Sequence, residues 1–446
     1  MLSLFGFYII YNFLEQVNNF HYKKYAEKLH TFFLLYNLAM VNEKIKILIV
    51  GGGAVASSLA RHFQKYGYVE KVYATSGISE FYESIDLRED DLTGLLMFAL
   101  ENDINLTVPV SEKALEADIV SFFQSNGQNI FGASKDSCDF MLNKILCKKF
   151  LYKIHASTPK FAMFNKISQI KDYLKNSSFP VVIRTAQNST LEDEKMVCPT
   201  LKSASDFVDK LFLKGETDVL IEDYVFGYNF TAYYITDGYG ATLLNTVTNH
   251  KFIEGLFTDG AGCTCPDYRA GSVVLARIEN VLSNILKNLD SRGCPYTGII
   301  GIECVLTNED NFVVTDIKPL LQNHDARAVL NLCEDDLIKI FTSCINGFFS
   351  DEYEKIKTND YSSASVSIYS DLDGEEIEGL NEPDDVDFIN IKEKNDKYYS
   401  DYGMNFTITK TSGTVTRAKK YLCEELDGIK FKGMKYSKDI CAKIEQ

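Results

Sequence analysis

From Lys44 the chain reads KIKILIVGGGAVASSLARHF, an apolar β-rich run, three glycines, then a segment with Ala56, Leu59, Ala60 and Phe63 on one helical face. The pattern predicts strand, tight turn and helix. Further apolar runs at 69–75 and 106–110 predict strands, 91–102 and 112–124 predict helices, and 129–131 predicts a short last strand. Strands and helices alternating at this spacing predict a parallel sheet covered on both faces, a Rossmann-like α/β domain. Ligands of such sheets lie beyond the carboxyl ends of the strands. Residues 51–53, 75–77 and 111–112 are therefore expected to meet in one crevice.

From about residue 140 to 345 the pattern changes to α+β with mixed sheets. A helix carrying Lys144, Lys148 and Lys149 leads to strands at 160–163 and 179–186 around a helix at 167–175. A strand at 219–227 is followed by a hairpin through Asp237 and Gly238, then by a helix at 273–289. Two strands, 298–307 and 311–319, close the region across turn residues 308–310.

Composition narrows the function classes. The 446 residues carry 62 acidic against 46 basic side chains, a net charge of -16, which repels nucleic acid and anionic membranes. Eleven scattered cysteines with no C-x-x-C pair predict reduced, mostly buried thiols in a cytoplasmic protein. Residues 1–39 are rich in aromatic and aliphatic side chains, but the first apolar stretch, about a dozen residues, falls short of the roughly 20 that span a bilayer. They are expected to form an extension outside the domains, with no stable membrane insertion.

The candidate chemistry lies in two places. Gly51, Gly52 and Gly53 form the one dense glycine run. They lack the full G-x-G-x-x-G spacing, so a plain βα turn and a cradle for a small anion at the following helix both remain open. Glu303 and Asp316 are expected side by side across an antiparallel pair. Adjacent carboxylates repel unless a cation sits between them, which suits a divalent metal. Lys144 and Arg184 add fixed positive charge, and Glu222 to Val225 add a strand edge. Hard oxygen ligands, cations and a backbone edge are what a magnesium-bridged nucleoside triphosphate requires.

In this order the motifs resemble those of the phosphoribosylamine-glycine ligase family of ATP-grasp enzymes. The resemblance rests on KIKILIVGGG, EKVYATSG, INLTVPVSEKAL and NIFGASKD, then on NKILCKKFLYKIHASTPKF, FPVVIRTA, VLIEDYVFGYNFTAYYITDG, NHKFIEG and CPYTGIIGIECVLTNEDNFVVTDIKP, and on TVTRAKKYLCEEL near the end. It implies a Rossmann-like pre-ATP-grasp domain at 40–140, an ATP-grasp domain at 141–345 with a lid at about 158–227, and a small β-rich carboxyl-terminal domain at 360–446. It implies a purine-biosynthetic ligase in which ATP phosphorylates glycine and the amine of 5-phosphoribosylamine attacks the acyl phosphate. The implied cofactors are ATP with Mg2+ or Mn2+, and the implied assembly is a monomer or homodimer. Carried over by position, Lys144 and Arg184 bind phosphate, and Glu222, Asp223, Tyr224 and Val225 contact adenine and ribose. Arg184 and Lys251 act in catalysis, and Gly51, Gly52, Gly53, Gly77 and Glu112 hold the sugar phosphate. For the metal, Asp316 stands where the family has its metal-binding glutamate, while Glu303 resembles a magnesium ligand of the wider ATP-grasp superfamily at a position where this family usually has a small residue.

The chain also departs from the family pattern. Ala54, Val55 and Ala56 stand where the family carries Arg-Glu-His, and the usually glycine-rich loop is AQNSTLEDEKMV at 186–197. Lys318 replaces the asparagine two places after the metal-binding acid, and LLQNHD at 320–325 replaces Arg-Phe-Gly-Asp-Pro-Glu. These departures leave two alternatives beside the ligase: an ATP-grasp ligase of changed specificity, and a non-catalytic nucleotide-binding paralogue.

Overall fold

The computed structural model describes residues 44–186, 195–308, 311–380 and 383–441. The extension at 1–39, most of the loop at 186–197 and two residues of the turn expected at 308–310 lie outside the described residues.

The amino-terminal part is the expected parallel sheet. Strands β1 (Ile45–Val50), β2 (Val69–Ala74), β3 (Glu83–Ser84) and β4 (Leu106–Pro109) run in the order β3-β2-β1-β4. Helix α1 (Gly53–Gln64) follows the glycine turn and is buried along most of its length. Its Ala54, Ala56, Ser57, Ser58 and Ala60 are small enough for close approach on several sides at once. The helix expected at 112–124 breaks into Glu112–Glu116 and Ile119–Ser125. The break is at Asp118, whose φ of 61° leaves the helical region and whose carboxylate takes hydrogen bonds from the Ser121 hydroxyl at 2.8 Å and the Lys135 N–H at 3.1 Å. The strand expected at 129–131 is reduced to a single parallel bridge between Thr107 and Ile130.

Burial within α1 has a pH consequence. His62 is 1% exposed with Nε2 3.0 Å from the Asp335 carbonyl, and burial, with Lys65 nearby, lowers its pKa to about 4. The unfolded chain thus takes up this proton near pH 6.5 and the folded chain only near pH 4, so stability falls as pH drops through that window. The expected loss is on the order of 3 kcal/mol by pH 4. Urea unfolding at pH 6.5 and pH 4 checks it, and His62→Gln is expected to flatten the difference by about that amount.

Helix α2 (Lys144–Lys153) leads into a four-stranded antiparallel sheet with its own core, formed by β5 (Phe161–Phe164), β6 (Val181–Thr185), β7 (Lys195–Cys198) and β8 (Val219–Asp223) in the order β5-β8-β6-β7. The rest of the chain builds one nine-stranded sheet, with a separate two-stranded hairpin at Ile391–Lys394 and Lys397–Ser400. Its strands are β9 (Tyr228–Thr236), β10 (Ala241–Ile253), β11 (Leu256–Cys265), β12 (Gly298–Leu306), β13 (Phe312–Lys318), β14 (Ser362–Ser370), β15 (Val386–Phe388), β16 (Gly403–Ser412) and β17 (Met434–Lys435). The order is β13-β12-β9-β10-β11-β14-β16-β15, with β17 on β14. The carboxyl-terminal strands therefore continue the same sheet through the β11 to β14 ladder. Helix α3 (Asn323–Leu330) packs between this sheet and α1, and α4 (Val415–Gly428) covers β14 and β16.

One expectation from the cysteines fails. Cys423 and Cys441 form a disulfide with Cα atoms 5.9 Å apart, pinning the chain after β17 to α4. Their 18-residue separation follows no metal-like or C-x-x-C spacing, so only the fold brings them together. The other nine cysteines are free thiols, eight of them buried.

Candidate active site

The hairpin β12–β13 places Glu303 opposite Asp316, and the register slips just beyond, between Glu303 and Cys304. Both carboxylates are nearly inaccessible, at 8% and 2% exposure. Two buried acids this close repel strongly, and the chain supplies the compensating cations itself. Asp316 Oδ2 receives the Lys144 ammonium and, at 2.7 Å, that of Lys318. Asp316 Oδ1 accepts the Ile317 N–H at 3.0 Å. Glu303 Oε2 lies 3.0 Å from the Lys251 ammonium and 3.6 Å from that of Lys318, and Oε1 takes the Thr315 hydroxyl at 3.1 Å. Burial alone would push the Asp316 carboxyl up, but Lys144, Lys318 and Arg184 hold it well below the usual carboxylate range. Burial in turn pulls the Lys144 ammonium down, an effect Asp316 opposes and Lys318 and Arg184 reinforce.

Local structure aims each lysine. The Asn143 side chain caps α2 by accepting the Leu146 N–H at 3.0 Å, and the Lys144 N–H bonds the Ala186 carbonyl at 2.7 Å, tying the helix start to the end of β6. Lys148, one turn on, shares the face of Lys144. Its ammonium meets Glu222 Oε1 at 2.6 Å, the Thr315 carbonyl at 2.6 Å and the Thr158 hydroxyl at 3.3 Å. Arg184, on the neighbouring strand β6, approaches Glu222 at 3.9 Å. Lys251 occupies an irregularity in the β10 to β11 register between His250 and Phe252, the kind of bulge that re-aims a side chain.

The strand edge expected at Glu222 is not one. Strand β8 is paired on both sides, Glu222 standing opposite Phe161 and Val182. The N–H groups of Asp223 and Tyr224 are also spent, on the carbonyls of Lys160 at 2.9 Å and Pro180 at 3.3 Å. Only beyond β8, at half-buried Tyr224 and Val225, does the backbone leave the ladder.

The glycine run frames a second cleft of about 300 Å³, lined among others by Gly52, Gly53, Ser76, Glu89, Glu112 and Asn323. The Gly51 N–H donates to the Thr75 hydroxyl at 2.8 Å, and a Cβ on Gly51 would stand 2.6 Å from Val110 Cγ2. A Cβ on Gly77 would stand 2.5 Å from the Tyr82 hydroxyl. The expected convergence of 51–53, 75–77 and 111–112 is thus what the fold builds. Residues 320–323 run from β13 into this cleft, so a short stretch of chain links it to the lysine-carboxylate cluster. Among its described lining residues the cleft holds two glutamates and no lysine or arginine.

Residues 45–140 match the family model for the phosphoribosylglycinamide synthetase N domain, and residues 142–318 match the model for the same synthetase's ATP-grasp (A) domain. The chain belongs to the phosphoribosylglycinamide synthetase family. A relative named phosphoribosylamine--glycine ligase from Fusobacterium nucleatum is 26% identical over 423 residues, covering 89% of this chain and 98% of that one. Another of that name from Caldanaerobacter subterraneus is 25% identical over 417 residues, covering 89% and 100%. A solved phosphoribosylamine--glycine ligase from Thermotoga maritima shares the fold with a TM-score of 0.71 at 17% identity, over 89% of this chain and all of that one. An L-amino acid ligase from Bacillus licheniformis superposes with a TM-score of 0.64 at 14% identity, over 89% and 100%. The family's architecture is thus retained from β1 to the carboxyl-terminal strands.

Within this family frame the structure brings Lys144, Arg184, Glu222, Lys251, Glu303 and Asp316 into one buried cluster and sets Gly52, Gly53 and Glu112 around the other cleft. Gly51 and Gly77 shape that cleft without lining it. Sequence reasoning left out Lys148, although its four-residue spacing from Lys144 was the signal, and Lys318 as a partner of both acids. It also left out Glu89, whose carboxylate takes the Ser111 hydroxyl, and Asn323, and no local pattern marks either.

Proposed function

We propose that this chain is an ATP-dependent carbon-nitrogen ligase that joins glycine to 5-phosphoribosylamine. The observation that carries the reading is the buried cluster of lysines and arginine at the junction of β6, β8, β10 and β13, in a chain that matches both family domains. In the reaction, a glycine carboxylate oxygen attacks the γ-phosphorus of ATP and ADP leaves. The amine nitrogen then attacks the acyl carbon, the carbon-oxygen bond to phosphate breaks, and phosphate departs with formation of the amide. Lys144 and Arg184 neutralise the polyphosphate, and Lys251 stands by the transferring group. Tyr224 and Val225, past the end of β8, with Asp223 and Glu222 before them, receive the adenosine. Gly51, Gly52, Gly53, Gly77 and Glu112 shape the amine end.

A divalent ion, Mg2+ or Mn2+, is the usual partner of ATP in such ligases, and Glu303 and Asp316 are the residues that would have to hold it. As they stand the donors do not fit it. Both are held by ammonium groups, and among the described residues no three histidine, cysteine, aspartate or glutamate side chains are grouped to hold a metal.

A second reading, a changed amine, is favoured by the cleft at Gly52, whose two glutamates, with no lysine or arginine among its described lining residues, disfavour a phosphate monoester. One assay separates the readings. With ATP, Mg2+, glycine and freshly generated phosphoribosylamine, the first expects glycinamide ribonucleotide and stoichiometric ADP. ADP release only with uncharged or cationic amines selects the second, and no ADP with any pair from folded protein defeats both.

A further inference from the structure

We propose that the Lys318 ammonium, seated between Glu303 and Asp316, does the work of a divalent cation in this cluster, so that the protein binds a nucleoside triphosphate without needing a metal. The inference rests on the reading of the buried cluster as a nucleotide site.

Geometry and charge both lead there. A cation bridging two carboxylates must reach an oxygen of each, and Lys318 Nζ lies 2.7 Å from Asp316 Oδ2 and 3.6 Å from Glu303 Oε2. Magnesium binds carboxylate oxygens at about 2.0–2.1 Å in near-octahedral geometry, so an ammonium hydrogen-bonded to those same oxygens competes for its place. Lys144 and Lys251 hold the same two oxygens from other sides, and a doubly charged ion entering among three ammonium groups would meet strong repulsion at this burial. Tethering adds to the effect, because an ammonium built into β13 is always present, whereas a free ion must be recruited and stripped of water.

The test is ATP affinity of the whole chain, by calorimetry, in excess EDTA and again in millimolar Mg2+. The expected result is two dissociation constants within about threefold of each other. Lys318→Asn, checked for a wild-type unfolding transition, is expected to lose about tenfold or more in EDTA and to regain affinity when Mg2+ or Mn2+ is added. Mn2+ electron paramagnetic resonance gives a readout independent of turnover: without nucleotide, only the variant, whose acids have lost the Lys318 ammonium, is expected to show protein-bound Mn2+. Wild-type binding that appears only with Mg2+ overturns the inference and leaves the nucleotide reading standing. An equal affinity of Lys318→Asn and wild type in EDTA also overturns it. Binding under neither condition overturns both.

Discussion

Asp316→Ala is expected to cost about 3–5 kcal/mol of unfolding free energy, the range for a broken buried ion pair. Asp316 is the acid on which the Lys144 and Lys318 ammoniums converge, and its removal leaves two buried positive charges facing each other across the vacated carboxylate. The loss comes from those stranded charges more than from the missing attraction. A second substitution therefore separates the two. Adding Lys318→Met, which keeps the apolar stem and deletes the ammonium, is expected to return part of the stability lost by Asp316→Ala. Denaturant unfolding of the two single variants and the double variant measures the coupling. A cost for Asp316→Ala within about 1 kcal/mol of zero refutes the description of the cluster as charge-compensated.

Gly52→Ala tests the other end of the active site. Its φ of -146° suits any residue, so the backbone carries no strain, and the conflict is purely one of space. A Cβ there would stand 2.6 Å from the Ser76 carbonyl oxygen and 2.8 Å from its carbon, main-chain atoms that cannot swing aside. The β1 turn and the segment after β2 must separate, changing the cleft that both of them line. The expected result is a fall of about 100-fold in kcat/KM for the amine, the scale set by an ångström of misplacement, with the ATP-induced rise in melting temperature retained. Loss of the ATP response as well would mean that the two ends are not separable, and an unchanged kcat/KM would remove the glycine cleft from the reaction.

The reach of the sequence differs between these two ends for a physical reason. The parallel sheet, the turn at 51–53, the β9–β10 hairpin and the pairing of Glu303 with Asp316 all follow from hydrophobic period and turn residues, which act over a few positions. What occupies the space between the acids does not. A metal is the natural inference from two adjacent carboxylates, but their partners come from residues 144, 251 and 318, brought together by three separate elements. Glu222 misleads for the same reason: its segment reads as a strand end, while its place between β5 and β6 depends on strand order. Asn323 enters the amine cleft only because α3 packs against α1, and the bond between Cys423 and Cys441 needs the chain after β17 folded back on α4.

The nine-stranded sheet has a consequence for how such a molecule can move. Asp316 sits on its first strand and Lys251 on its fourth, while Asp387 on the last strand meets Arg327 of α3 at 3.5 Å. Backbone ladders, bulged at a few positions such as Glu303 and Lys251, join these strands one to the next, so the sheet acts as a ruler that fixes the spacing of its marks. The strands bearing Arg184 and Glu222 share no ladder with it among the described residues. Where the chain passes from that smaller sheet into the larger one, a Cβ on Gly227 would stand 2.2 Å from the Leu306 carbonyl oxygen, so the crossing is held against the large sheet by main chain alone and accommodates no side chain.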